Sequence, residues 1–102
     1  PEDLDAAWEA RKAAAKGRTS SLDGIAYSLS SVARSAKVIS RARTRGVGVK
    51  LADEPITAAE TGDQLVTLIA RAQASGVDAD QALRDRLRDL EDEIRKAECR
   101  TD

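Results

Sequence analysis

The chain has 102 residues, 41% of them apolar and 34% charged, with 17 basic side chains against 18 acidic ones and a net charge of −1. So even a balance excludes the basic surplus that marks a nucleic-acid module, and the absence of histidine removes the commonest zinc ligand and general base. With no Phe, one Trp and one Tyr, the core has to be built from Leu, Ile, Val and Ala, which suits packed helices. No apolar run approaches about 18 residues and there is no signal peptide, so no membrane contact is expected. The lone Cys99 has no disulfide partner, and a cytoplasmic location follows as the expectation. The chain lacks Met altogether and reads as one module, residues 1–102, of a longer protein.

Leu4 to Lys16 reads as a first helix, rich in Ala, Glu, Arg and Lys. Asp3 or Asp5 can cap it and Gly17 stops it. Its apolar side is thin, with Trp8 as the packing anchor. Gly17 to Tyr27 is a loop, with Thr19-Ser20-Ser21 and Asp23-Gly24 as turn chemistry. Ser28 is the expected N-cap of a second helix, Leu29 to Arg45. Its stripe is Leu29, Val32, Ala36, Ile39 and Arg43, with Ala33, Val38 and Ala42 beside it. Arg34, Lys37, Arg41, Arg43 and Arg45 make this helix strongly basic, a face suited to solvent or to phosphates.

Gly46-Val47-Gly48 ends that helix, and Pro55 keeps Val49 to Ile56 irregular. Ala58 to Ala74 is a third helix with Gly76 as its C-cap. Ala59, Leu65, Val66, Leu68, Ile69 and Ala72 make it apolar on more than one side, which predicts the most buried element. At its head Glu60 and Asp63 stand three apart, so both carboxylates share a face. Such a pair either complements the helix dipole or begins a Mg²⁺ site. Asp78 and Gln81 form a capping box for a fourth helix. There Leu83, Leu87, Leu90, Ile94 and Ala97 recur at spacings of 4, 3, 4 and 3, a coiled-coil-like seam with Glu91–Arg95 and Asp92–Lys96 pairs outside it. The seam requires a facing helix, in this chain or in a second copy. Cys99 falls in the polar tail. No strand alternation is present, so the class is all-α, a bundle of about four helices.

Five collinear segments resemble the MazG nucleoside triphosphate pyrophosphohydrolases. Trp8-Glu9-Ala10-Arg11-Lys12 with Lys16, then Ser20-Ser21-Leu22-Asp23-Gly24-Ile25, is similar to that family's W-x-x-x-K…S-x-L-D-G-V. Ala33 to Ala42 resembles its basic A-x-K helix, and Val47-Gly48 its V-G. Glu60-Thr61-Gly62-Asp63 resembles its E-x-G-D metal motif, and Gly76 to Arg84 its G-x-D-P-E-x-A-L-R. The likeness covers residues 7 to 98 and is closest to the C-terminal module of two-module members. It implies an all-α, dimeric bundle and a parent enzyme that hydrolyses nucleoside triphosphates to the monophosphate and pyrophosphate. In that chemistry Mg²⁺, held by an E-E-x-x-E helix and the following E-x-x-D, polarises phosphoryl oxygens and activates water.

The chain departs from that pattern twice. The E-E-x-x-E helix is missing: eleven residues separate Gly48 from Glu60, Pro55 interrupts them, and Asp53-Glu54 is the only acidic doublet left. Near the C-terminus the family's Asn position holds Leu87, its Lys position Asp89 and its Arg pair Asp92-Glu93. Each cation-to-anion swap turns into repulsion an attraction to phosphate worth on the order of 4 kcal/mol at ~4 Å and a dielectric of about 20. The resemblance with these losses implies a degenerate module that dimerises through its helices and braces the N-terminal catalytic module of the same protein. Mg²⁺ and the nucleoside triphosphate then belong to the parent enzyme, with none bound here. Glu60, Asp63 and Glu54 remain as vestigial metal candidates, and Lys12, Lys16, Arg34, Lys37 and Arg41 as phosphate candidates. Trp8, Leu83, Leu87, Leu90 and Ile94 are the packing or interface candidates. The alternatives are a weakly active Mg²⁺-dependent pyrophosphohydrolase in its own right and a helical interaction module without a nucleotide connection.

Overall fold

A computed structural model describes residues 20–100, with the backbone alone of Arg100. The expected first helix, with Trp8, Lys12 and Lys16, lies outside the described residues. Within them the chain is all-α: α1 spans Ser31–Thr44, α2 Ala58–Ala74 and α3 Ala79–Arg100, and no strand forms.

Each helix starts on a side-chain cap. The Ala33 N–H donates to Ser30 Oγ at 3.2 Å, so α1 begins two residues later than Ser28 would have set it. Thr57 caps α2 by accepting from the Glu60 N–H at 3.1 Å. Asp78 caps α3 through the Gln81 N–H at 3.0 Å. The reciprocal half of that capping box does not form, because the Gln81 amide points forward and donates to Asp85. Gly46 and Gly76, at φ +65° and +72°, follow α1 and α2. Their left-handed backbone lets the Val47 and Val77 N–H groups close back on the Ala42 and Ala72 carbonyls. α3 runs on through Cys99, which is an exposed helical residue and not part of an irregular tail.

The core lies between α1 and α3. Leu87, Leu90, Ile94 and Ala97 are buried, with Leu83 half-buried, so the predicted seam of α3 is real and finds its facing helix within the chain. Val38 and Ala42 of α1 lie wholly inside against it, joined by Leu22 and Ile25 from the preceding loop. Val47, Val49 and Leu51 pack on the same cluster, and Arg43 holds that segment by donating to the Ala52 carbonyl at 2.6 Å. The buried face of α1 therefore runs through Ser31, Val38 and Ala42 rather than through Val32, Ala36 and Arg43, which are exposed.

α2 reverses the expectation made for it. None of its residues is buried, and Leu65, Val66, Leu68 and Ile69 are 43–68% exposed. Apolar periodicity reports what a helix can bury, and here the α1–α3 pair completes its core without α2. Ile94 is fully enclosed. Replacing it with Ala is expected to cost about 2–5 kcal/mol in urea unfolding, whereas Val32→Ala on the exposed side of α1 is expected to stay within about 0.5 kcal/mol.

Candidate functional site

The Ser20–Gly24 turn is clamped between the ends of α1 and α3. Asp23 accepts from the Ser20 N–H at 3.2 Å, and Gly24 at φ +86° completes the turn. Glu98, on the last turns of α3, receives the Ser20 hydroxyl on Oε1 at 2.7 Å and the Ser21 N–H on Oε2 at 2.8 Å. From the other side Arg41 Nη1 donates to the Ser21 and Asp23 carbonyls at 3.0 and 3.1 Å. Arg41, a phosphate candidate on sequence grounds, is thus engaged as a brace. Burial pushes the Glu98 carboxyl up, but the Ser21 and Ser20 hydrogen bonds and the nearby Arg45 outweigh it, so its pKa falls below the usual 4.5.

A second polar constellation lies between the start of α1 and the middle of α3. Arg34 pairs through Nη2 with Glu91, which is buried, so Glu91 turns inward and does not form the outward pair with Arg95. The ring of Tyr27 lies 4.6 Å from the Arg34 guanidinium carbon, a cation–π contact. Ser31 donates to Asp80, which also accepts from Arg84 Nε at 2.8 Å. The Ser31 hydroxyl, then Arg84, hold the Asp80 carboxyl below its usual 3.8. Arg34, Arg84, Arg88 and Glu91 line a cleft of about 180 Å³ floored by Leu29 and Leu87. Of the phosphate candidates, then, Arg34 and Arg41 are committed to protein partners, while Lys37 stays on the exposed face of α1.

Glu60 and Asp63 are both exposed on the first turns of α2, and Glu54 is exposed in the preceding segment. Among the described residues no three His, Cys, Asp or Glu side chains gather where they could hold a metal ion. Glu60 and Asp63 on one helix supply only two of the anionic ligands that a near-octahedral Mg²⁺ site uses. Asp89, Asp92 and Glu93 all face solvent, while Leu87 lies in the core.

Sequence reading gives no role to Glu98, Arg88 and Tyr27, takes Arg84 only as the end of a motif, and places Glu91 in a surface pair with Arg95. Glu98 and Glu91 look like ordinary helix-surface acids. Their role depends on residues 77 and 57 positions away, beyond the reach of local spacing. Arg84 and Arg88, one turn apart, carried the available signal.

No family model matches the chain, and no solved structure matches it. It is 36% identical over 97 residues to a protein of Streptomyces cacaoi described as an "uncharacterized 26.1 kDa protein in blaB 3′ region". That match takes in 94% of the chain but 39% of the relative, so the chain spans about two fifths of that protein's length.

The depressed Glu98 carboxyl has a signed consequence. The unfolded chain binds its proton more readily than the folded one, so the clamp contributes stability above pH 4.5 and loses it as pH falls through the lower, folded-state value. Denaturant midpoints measured at pH 7 and pH 3 should therefore differ less in Glu98→Gln than in the natural chain. Asp80, shifted the same way, leaves a residual slope.

Proposed function

We propose that this chain is a non-catalytic helical assembly module: the MazG-like C-terminal part of a cytoplasmic nucleoside triphosphate pyrophosphohydrolase, which dimerises through α2 and so braces the catalytic module elsewhere in the same protein. The observation that carries the assembly role is the bare face of α2. Placed on a helical wheel, Ala58, Thr61, Gly62, Leu65, Leu68, Ile69 and Ala72 form one stripe without a charge, while Glu60, Asp63 and Arg71 lie on the opposite side. Its large members are exposed, in contrast to the seam of α3, which α1 already covers. An apolar helix face left open over 17 residues is what an intermolecular helix pair uses.

The occupant we assign is a second copy. An uncharged stripe meets itself without like-charge repulsion, and two α2 helices of about 25 Å can lie side by side along their length. Ile56 and Val77, each at least half exposed, extend the apolar surface at both ends toward the roughly 800 Å² per partner of a stable interface. The pyrophosphohydrolase connection rests on the five collinear motifs. The bracing role rests on the exposed, incomplete acid set and on Arg41 being engaged within the chain.

Sedimentation of the chain at about 100 μM is expected to give a dimer. Leu65→Asp with Ile69→Asp should give a monomer of unchanged helicity, since neither residue is in the core. A monomeric natural chain would falsify the pairing. The same sample with Mg²⁺ and nucleoside triphosphates should release no pyrophosphate; release abolished by Glu60→Ala would instead favour a weakly active enzyme.

A further inference from the structure

We infer that the cleft between the start of α1 and the middle of α3 is a binding site for a phosphate monoester, held by Arg34, Arg84 and Arg88 beside the ring of Tyr27. The inference is independent of the assembly role, because the cleft shares no residue with α2.

Three observations converge on it. The first is charge: three guanidiniums against one carboxylate, Glu91, line the cleft, and Asp80 at its edge engages Arg84 through a single Nε bond. The wall therefore stays net positive, which calls for an anion. The second is Arg88, which makes no ion pair among the described residues and stands one helical turn from Arg84 on the same side of α3. The third is preorganisation: Glu91 and the Tyr27 ring together fix the plane of the Arg34 guanidinium before any ligand arrives.

The chemistry narrows the anion. Three forks converging on one cleft present more donors than a carboxylate has oxygens to occupy, whereas a phosphoryl group offers three free oxygens in a tetrahedral array. A volume of about 180 Å³ accommodates that group with the first atoms of its ester. Tyr27 is 83% exposed, so its outer edge is open to the remainder of the molecule.

The test uses the whole 102-residue chain, titrated at low ionic strength with inorganic phosphate, methyl phosphate and acetate and followed by amide chemical shifts. Saturable binding of both phosphates, with shifts at residues 27–34 and 84–91 and with acetate weaker by about tenfold or more, is expected. Arg88→Ala should weaken phosphate binding about tenfold with helicity unchanged. Arg86→Ala, which removes the same charge from a pair with Glu93 outside the cleft, should change it by less than about twofold. Arg34 is left intact, because removing it strands the buried Glu91. Equal losses in the two variants would show diffuse attraction and overturn the site, as would the absence of saturation. Acetate matching phosphate would overturn the phosphoryl assignment, and phosphate binding without methyl phosphate binding would overturn the monoester.

Discussion

The packing of α1 against α3 is the constraint on which the other features depend. Val38 and Ala42 on one side, and Ile94 on the other, have no exposed surface, and the remaining buried apolar residues ring that contact. Alanine at position 42 lets the backbones come near enough for side chains of modest size to fill the gap. With no phenylalanine in the chain, proximity has to substitute for bulk. Closing the two helices on each other also decides what remains outside. α2, the most apolar of the three by composition, has no place in a seam that α1 already fills.

The edges of the same seam are polar, and each is closed by a carboxylate of α3. Glu91 takes Arg34 from α1, and Glu98 takes the Ser20–Ser21 turn, which Arg41 of α1 holds from behind. Breaking a buried pair costs far more than the pair adds over a well-packed apolar substitute. The value of these contacts is therefore better sought in register than in net stability: they fix how far α3 slides along α1. A slide of one turn would move Glu91 away from Arg34 and Glu98 away from the turn together. The Ser-x-Leu-Asp-Gly segment has its role here as well, since Leu22 enters the core while Asp23 and Gly24 shape the turn that delivers Ser20 and Ser21 to Glu98.

Much of this architecture is legible in the sequence, and the parts that are not share one physical reason. The bounds of α2, the Asp78 cap and the seam of α3 follow from local rules, because capping, glycine stops and heptad spacing act over a few residues. Which face of α1 is buried depends on α3, some 50 residues later, and the competing stripes of α1 carry nearly equal apolar content. The burial expected of α2 fails for the same reason: amphipathicity records a capacity, and the α1–α3 core does not use it. The candidate sites divide likewise. Glu60 and Asp63 are adjacent on a helix as their spacing requires, yet spacing cannot supply the further anions a metal needs. Arg34 and Arg41 look like free cations until the fold gives them Glu91 and the carbonyls of residues 21 and 23.

Two features are left over once the helices are packed, and they differ in kind. The α2 stripe is neutral and extended, suited to a surface as long as itself. The cleft at Arg34 is charged, concave and small, suited to a compact anion. They also stand in different mechanical relation to the seam. α2 takes no part in the core, so it can be covered or uncovered without disturbing α1 and α3. The cleft is built from both seam helices, and its Arg34–Glu91 pair is one of the contacts that hold their register. An anion held between Arg34 of α1 and Arg84 and Arg88 of α3 would add crosslinks where the helices already meet. Occupancy of the cleft would then stabilise the α1–α3 pair in proportion to ligand concentration, while assembly through α2 would answer to protein concentration.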